Sequence, residues 1–276
     1  MEKMCRVLEV SQSGYYRWLD CPESARKREN QAICAVLRAS YAQNKGRTGL
    51  NKLLDDVRLK FPHCSRNRLY GIQRAHGLYS IRRRKFKATT NSRHNYPVAP
   101  NLLRQNFHVE APNKVWVTDI TYIRTGEEWL YLAIVKDLFD RQIVGCATGS
   151  RIDTDLCKRA LSAAIRRYKP RAGLIHHSDQ GVQYASQDYQ ALLLQNHIIP
   201  SMSRKGIPYD NACAESFFST LKLEMIYHEH YATKAQAQAA VFEYIEVYYN
   251  RQRRNAAIGN ITPAEFRRRF YQQRAA

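Results

Sequence analysis

The sequence has seven cysteines but no Cys-x-x-Cys pair, and it has no apolar run of membrane-spanning length. An odd, scattered set of cysteines in a chain of 276 residues argues against a disulfide framework and for reduced thiols in a cytosolic compartment. The first residues also lack the apolar segment of a secretory signal. These absences predict a cytoplasmic protein that neither spans nor binds a membrane.

Acidic residues are scarce as well. The chain has 24 Asp and Glu against 44 Lys and Arg, which gives a formal net charge of +20. Residues 1–100 carry +14 of this excess, from 21 basic and 7 acidic side chains. Such an excess repels itself in a compact state, so it indicates a polyanionic partner, and nucleic acid is the partner that it favours. The alternative is that the charge only aids solubility.

The first ninety residues have helical patterns. Residues 1–22 predict a short helical segment whose Ser-x-Ser-Gly sequence is typical of a turn between two helices. Residues 23–90 predict a helix-turn-helix domain, in which Ser65 caps a third helix. Arg66 and Arg68 stand at the start of that helix, where a recognition helix meets DNA. The alternative for these two arginines is the solvated face of an ordinary three-helix bundle.

A basic arm and a linker follow. The arm runs from residue 81 to residue 87, and its Arg83 and Arg84 are predicted to neutralise DNA phosphates without reading sequence. Residues 91–105 are predicted to form a basic, extended linker, because residues 88–100 combine Thr, Asn and Ser with two prolines. A catalytic domain is then predicted over residues 106–270.

Strand patterns begin after the linker. Three hairpin-linked strands are predicted at 114–124, 128–139 and 142–148, and shorter strands at 173–177 and 198–202. Helices are predicted at 153–168, 187–196, 212–230 and 234–251. Antiparallel strands followed by alternating helices and strands predict an α/β fold with a mixed sheet, in which the first and fourth strands are neighbours.

Three acidic residues occupy the ends and turns of these elements. Asp119 lies in the first strand, Asp179 follows the fourth, and Glu215 lies in the first turn of a helix. Carboxylates brought together in this way predict a site for hard cations such as Mg²⁺. The helix dipole is expected to favour ionised Glu215, and Asp210 or Asn211 to cap the helix. Lys222, two turns along the same face, is predicted to hold a DNA phosphate.

Several sequence motifs carry a family resemblance. Asp179 and Glu215 are separated by 35 residues, and Lys222 follows Glu215 by seven. With the sequence around Asp119, these motifs resemble the Asp-Asp-Glu retroviral-integrase superfamily. More narrowly, the chain resembles the second-frame product of bacterial insertion-sequence transposases of the two-frame, integrase-like type. The segments that carry the narrower resemblance are residues 116–122, 177–184, 214–222, 249–251 and 262–266.

The resemblance implies a fold and an activity. The implied fold is a ribonuclease-H-like mixed five-stranded sheet flanked by helices, preceded by the all-helical DNA-binding segment. Asp119, Asp179 and Glu215 are implied as catalytic ligands of two Mg²⁺ ions (or Mn²⁺). The implied reaction is cleavage of DNA at the element's ends, followed by 3′-hydroxyl strand transfer. A zinc module like that of retroviral integrases is absent from the sequence, so no structural zinc is predicted.

The implied partners are element ends and target DNA, a second copy of the chain on paired ends, and the first-frame product of the element. The implied location is the cytoplasm, in association with the nucleoid. Lys205, in a loop containing glycine and proline, is a further predicted DNA contact. Two rival functions stay open: an inactive DNA-binding regulator of the element, and a structure-selective nuclease on the same core.

Two further residues have more than one interpretation. His176 and His177 are adjacent on a strand, so their side chains face opposite sides of the sheet. His177 is the one that the resemblance directs towards the cleft. A hydrogen-bonding role is favoured over metal ligation, because Mg²⁺ prefers oxygen ligands.

Overall fold

The computed structural model describes residues 2–20, 23–81 and 97–275. The chain divides into two compact units, Met1–Arg82 and Arg83–Ala276. Arg83 and Arg84 lie outside the described residues, so their predicted DNA contacts remain predictions. No helix in the described ranges is long and apolar enough to cross a bilayer.

Unit 1 begins with two short helices. They are α1 (Glu2–Val7) and α2 (Gln12–Leu19). The hydroxyl of Ser11 accepts a hydrogen bond from the backbone N–H of Gly14 at 3.0 Å, which caps the start of α2. Several large apolar side chains of this segment are exposed, among them Val7 and Trp18.

The rest of unit 1 is a three-helix bundle. Its helices are α3 (Ala25–Gln43), α4 (Leu50–Arg58) and α5 (Arg66–Ala75). The predicted cap at Ser65 is confirmed, because its hydroxyl accepts from the backbone N–H of Arg68 at 3.2 Å. The three helices enclose an apolar core whose fully buried members are Ile33, Leu37, Leu53, Val57 and Leu69. The helical pattern of the sequence is therefore confirmed for this segment.

Unit 2 is built on a five-stranded sheet. The strands are β1 (Val115–Arg124), β2 (Trp129–Asp137), β3 (Ile143–Gly149), β4 (Ile175–Ser178) and β5 (Ile199–Met202). Their order is β3-β2-β1-β4-β5. β1 runs antiparallel to β2 and parallel to β4, which places Val117 opposite His177. The predicted mixed sheet, with the first and fourth strands as neighbours, is confirmed.

Helices cover both faces of the sheet. The first face packs against α6 (Thr154–Tyr168) and, at the parallel edge, α7 (Val182–Ala185) and α8 (Gln187–Gln195). The second face packs against α9 (Ala212–Glu224) and α10 (Lys234–Glu243), and the chain continues beyond α10 in a wider helical turn, Tyr244–Tyr249. Gly145 of β3 permits the close approach of α6, because a Cβ there would collide with the carbonyl of Ala160. This is the predicted ribonuclease-H-like architecture.

The helix predicted over residues 212–230 is too long at its end. α9 ends at Glu224, and a 3₁₀ turn, Ile226–His228, follows. The side chain of Met225 enters the core with only 2% of its surface exposed. The carboxylate of Glu224 is bound by the guanidinium of Arg253 and the hydroxyl of Tyr244. These tertiary contacts override the helical pattern of the sequence.

The last helix, α11 (Pro263–Ala275), is joined to the sheet by a buried ion pair network. The guanidinium of Arg267 binds the carboxylates of Asp137, at 2.7 Å, and Asp140. The same guanidinium lies over the ring of Tyr168, 4.5 Å from its centroid. Breaking such a buried network leaves uncompensated charges, so Arg267 is the principal polar anchor of α11.

Candidate active site

Asp119 lies in the middle of β1. Its Oδ1 accepts a hydrogen bond from the backbone N–H of Ile120 at 2.8 Å, and its side chain is half-buried. Beyond Val117, β1 has no further pairing with β4, so the strand extends past its neighbour on that side. Asp119 therefore projects near the edge of the sheet where β4 ends.

Asp179 is the first residue after β4. Its Oδ1 accepts from the backbone N–H of Gly181 at 2.9 Å, which forms a tight turn that leads into α7. A Cβ at position 181 would lie 2.9 Å from this oxygen, so glycine is needed for the close approach. The turn fixes the carboxylate just beyond the strand end.

Glu215, the third of the predicted acids, is provided by α9. It lies in the first turn of this helix and is exposed. The side-chain amide of Asn211, at the start of α9, donates to the backbone carbonyl of Thr118 at 3.2 Å. This contact joins the start of the helix to the residue before Asp119.

Electrostatic coupling links the three acids. Burial raises the pKa of Asp119 well above its usual range, and the charges of Asp179 and Glu215 raise it further. Glu215 is exposed as a residue, but partial burial of its carboxyl, followed by the charge of Asp179, raises its pKa as well. This direction is opposite to the one expected from the helix dipole, which is overridden by desolvation and by a like charge.

Two carboxylates can affect each other's pKa over distances too long for them to bind the same metal ion. Among the described residues, no three His, Cys, Asp or Glu side chains lie close enough together to form a metal-binding cluster. The acids are thus within electrostatic range of one another without being assembled as a ligand set. Their assignment as metal ligands stays a prediction.

Lys222 is buried beside this set. Only 5% of its surface is exposed, and its ammonium lies 4.6 Å from the centroid of the Tyr122 ring. Burial lowers the pKa of Lys222 to about 8, while the charge of Asp119 acts in the opposite direction. The lysine is thus a partner of Asp119 and Tyr122 in this structure, and its predicted phosphate contact is untested.

Both histidines of β4 are buried. The ring nitrogens of His177 pair with the hydroxyls of Ser201, at 2.8 Å, and Ser203, at 3.1 Å. His176 pairs through Nε2 with the hydroxyl of Tyr189 at 3.1 Å. Burial lowers the pKa of His177 to about 4 and that of His176 to about 3. Both side chains are neutral hydrogen-bonding groups, in agreement with the predicted preference for that role.

The predicted position of the α9 cap is confirmed at Asn211, not at Asp210. Asn211 occupies the cap position but its side chain makes no capping hydrogen bond. The carboxylate of Asp210 is fully buried and accepts instead from the side chains of Asn101, Gln105 and Arg204, at 2.8 to 3.0 Å. Asp210 is therefore the point that joins residues 101–105 to the start of the helix that carries Glu215.

Lys136 of β2 is a residue beside the site that the sequence does not predict. It is 4% exposed, and its ammonium donates to the carbonyl of Cys213, in the first turn of α9, at 2.9 Å. Burial lowers the pKa of Lys136 to about 7. Charged residues within strands are common at surfaces, so the sequence carries no signal that distinguishes this one.

The predicted DNA contacts differ in their surroundings. Arg66 is exposed and its Nε donates to Asn51 at 3.1 Å. Arg68 is half-buried and binds two residues of α3, Asn30 at 2.7 Å and Glu29 at 2.8 Å. Lys205 is exposed in the loop before α9. Arg68 thus holds the bundle together, whereas Arg66 and Lys205 present charge to solvent.

Comparison with known proteins defines the class of this fold and site. Residues 109–208 match one family described as integrase core domain, and residues 215–270 match a second family with the same description. A chain of the simian T-cell lymphotropic virus intasome aligns with 17% identity and a TM-score of 0.49, over 75% of this chain and 72% of that chain. The two family matches show that unit 2 contains an integrase core domain.

Full-length relatives define the family. The chain is 44% identical to the insertion element IS600 uncharacterized 31 kDa protein of Shigella sonnei, over 99% of this chain and all of that protein. It is 40% identical to transposase InsF for insertion sequence IS3A of Escherichia coli, over 96% of this chain and 93% of that protein. The chain belongs to this family of insertion-sequence transposases, which are polynucleotidyl-transferase-type enzymes. The predicted resemblance is confirmed.

Proposed function

We propose that the chain cuts DNA at the ends of its insertion element and joins the freed 3′-hydroxyl ends to target DNA, with Asp119, Asp179 and Glu215 as its catalytic carboxylates. The observation that carries the proposal is the mutual electrostatic coupling of these three acids in a chain of the transposase family. Charged groups gathered at one place at an energetic cost are typical of functional sites.

The donor set fits a hard divalent cation. Three carboxylates supply only oxygen, which Mg²⁺ and Mn²⁺ prefer over nitrogen and sulfur. The buried Oδ1 of Asn211 has no hydrogen-bond partner among the described residues, and a buried acceptor of this kind is accounted for by an ordered water or ion. We propose Mg²⁺, or Mn²⁺, with two ions per site. Bound ions would stabilise the attacking and leaving oxygens of a phosphodiester displacement.

The side chains around the acids prepare them for this task. Lys222 balances part of the charge of Asp119, which limits the repulsion between the acids. The turn at Gly181 and the contact between Asn211 and Thr118 fix the backbone on both sides of the site. The neutral histidines of β4 add no positive charge that would compete with a cation.

The DNA partner follows from the charge of the chain. Arg66 and Lys205 present exposed cations, and the net charge of +20 supports non-specific attraction to phosphates. We include Arg68, Arg83, Arg84 and Lys222 as proposed DNA contacts that are still to be tested. We also propose that two or more copies act on paired ends, with the first-frame product as a further partner, on the nucleoid within the cytoplasm.

The test is a cleavage and joining assay on labelled element ends in Mg²⁺, comparing the wild type with Glu215→Gln. The amide keeps the shape but removes the charge. Cleavage should fall by more than the roughly 10–100-fold losses typical of groups that only support metal ligands, with DNA binding retained. Glu110→Gln, an exposed site with the same chemical change, is the control.

The assay also separates the rival functions. Binding without cleavage by the wild type would favour the inactive regulator. Cleavage without joining would favour the nuclease. Equal cleavage by the wild type and Glu215→Gln would contradict the assignment of Glu215.

A further inference from the structure

The far end of the β1–β2 hairpin carries a basic and aromatic face. In the antiparallel register, Tyr122 is opposite Tyr131, and Arg124 is opposite Trp129. Residues directly opposite each other point to the same side of a sheet, and so do residues two apart on one strand. The four side chains therefore share one face, which we call the hairpin face.

The aromatic rings of the hairpin face are in contact. Tyr122 and Trp129 pack edge to face, with centroids 5.2 Å apart and planes at 89°. Trp129 is 43% exposed although it is a large apolar side chain. Tyr227, which follows α9, is 41% exposed, and Tyr122 lies within electrostatic range of it. Exposed aromatic rings held by neighbouring rings are suited to stacking with a flat ligand.

An open pocket of about 470 Å³ adjoins these rings. Its lining includes Arg124, Trp129 and Tyr131. Two acids, Glu127 and Glu128, also line it, and both are bound by Lys234 at the start of α10, at 2.9 Å through its backbone N–H and its ammonium respectively. The exposed guanidinium of Arg124 thus supplies positive charge next to the aromatic rings, and the two acids of the pocket are already bound by Lys234.

The hairpin face adjoins the proposed catalytic site through Lys222, although Asp119 lies an odd number of residues from Tyr122 and so points to the opposite side of the sheet. The ammonium of Lys222 lies over the ring of Tyr122 and is electrostatically coupled to Asp119. Tyr122 follows Asp119 by three residues along β1, or roughly 10 Å at the rise of a strand. Trp129, opposite Arg124, lies roughly 17 Å along the same strand direction from Asp119. At a rise of about 3.4 Å per nucleotide, these distances correspond to three to five steps of a DNA strand.

We propose that the hairpin face binds an unpaired base of the DNA substrate, which stacks on Trp129 while Arg124 contacts the neighbouring phosphate. This inference rests on the proposed function, because the distance to the scissile phosphate is measured from Asp119. The base belongs to a nucleotide three to five steps from that phosphate. A base drawn out of the duplex at this position anchors the DNA end relative to the carboxylates.

The chemistry of the face favours a nucleic-acid base over a protein partner. Base–aromatic stacking tolerates any base, and an adjacent arginine adds charge for the phosphate backbone. The chain as a whole carries a net charge of +20, which complements DNA.

The test measures binding, so that it does not depend on cleavage. Duplexes with the terminal sequence of the element, each with a single abasic site at one position, are titrated with the full chain without divalent ions. We expect one abasic position, three to five steps from the cleavage point, to weaken binding by about 5–150-fold, the usual range for loss of one stacked base. Trp129→Ala should weaken binding to intact DNA similarly and should lose the sensitivity to that abasic site.

Two controls accompany the variant. Trp129→Phe keeps an aromatic ring and should retain most of the affinity. Phe242→Ala removes an exposed ring from α10, on the opposite face of the sheet, and should bind like the wild type. Unchanged DNA affinity in Trp129→Ala would overturn the proposal, and so would equal sensitivity of wild type and variant at every abasic position. A changed oligomeric state with unchanged DNA affinity would assign the face to a protein partner instead.

The outcomes distinguish this inference from the proposed function. If the abasic effect depends on Trp129 while Asp119→Asn still cleaves like the wild type, the base-binding face stands and the catalytic assignment fails. If cleavage requires Asp119 but Trp129→Ala loses no more or less affinity than the wild type at any abasic position, the catalytic assignment stands and the base-binding face is excluded.

Discussion

Arg204 binds the carboxylate of Asp210 at both oxygens. Its Nε lies 3.0 Å from Oδ2, and a terminal nitrogen of the same guanidinium lies 3.0 Å from Oδ1. This two-point contact is the strong form of a charge-assisted hydrogen bond. Asn101 and Gln105 add one hydrogen bond each to the same carboxylate. Glu215 follows Asp210 by five residues, so the network holds the start of the helix that presents a proposed catalytic acid.

Replacing Asp210 with Asn should therefore lower both stability and cleavage. Hydrogen bonds to a charged group each contribute about 1.5–3 kcal/mol, so a loss in at least that range is expected by urea unfolding. The network holds the pKa of Asp210 well below its usual range, so this contribution is present above the unfolded pKa of about 3.9 and is lost in stronger acid. The gap between wild type and variant should stay constant above about pH 4. A variant as stable and active as the wild type would contradict the role of Asp210.

Lys136 should make stability depend on alkaline pH. Its pKa is lowered to about 7 in the folded chain, against about 10.5 in the unfolded chain, so the unfolded state binds more protons between these values. Raising the pH through this window therefore stabilises the folded state, by up to about 1.4 kcal/mol per pH unit. Lys136→Met should remove this slope. Parallel stability curves for wild type and variant, measured by urea unfolding from pH 7 to 10, would show that the lysine stays charged when folded.

Arg267 should be essential for the docking of α11. Its removal leaves Asp137 and Asp140 buried without a cation, which typically costs about 3–5 kcal/mol. Arg267→Ala should show this loss in chemical unfolding. Arg268→Ala is the matched control, because Arg268 is exposed and its partners among the described residues, Glu265 and Gln272, belong to its own helix, so its loss should stay below about 1 kcal/mol. Equal effects of the two variants would refute the proposed anchor.

Alanine variants of the two arginines of α5 should have different effects, one on DNA binding and the other on stability. Arg66→Ala should weaken DNA binding and reduce the slope of log affinity against log salt by about one, as expected for one lost phosphate contact. Arg68→Ala should instead lower the thermal stability of the chain, because Arg68 binds Glu29 and Asn30 of α3. Salt-dependent binding titrations and thermal unfolding of both variants make the comparison. The reverse pattern would assign DNA contact to Arg68.

The sequence predicted the sheet well because its signals are local. Runs of β-branched and apolar residues mark β1 and β2, and the hairpin-length loops between them specify antiparallel pairing. The same patterns placed Asp119 within a strand and Asp179 just after one. Their positions relative to each other then followed from the neighbouring β1 and β4.

Contacts between distant segments could not be predicted in the same way. Asp210, like Asn211, fits a helix cap from its neighbours along the chain, but its partners Asn101 and Gln105 are more than 100 residues away. Glu215 was expected to be favoured in its ionised form by its helix, yet burial and Asp179 raise its pKa. In the sequence, Lys136 is an ordinary charged residue of a strand, and only the packing of α9 in the fold buries it. Each outcome depends on the tertiary surroundings.

The central claim is that Asp119, Asp179 and Glu215 bind divalent cations together. A crystal of the chain soaked in Mn²⁺, examined by anomalous scattering, tests this most directly. The account predicts an anomalous peak bound by oxygens of Asp119 and Asp179, with Glu215 contributing to the same site, and loss of the peak in Asp119→Asn. Peaks bound only by other residues, or Glu215 directed away from an occupied site, would contradict it.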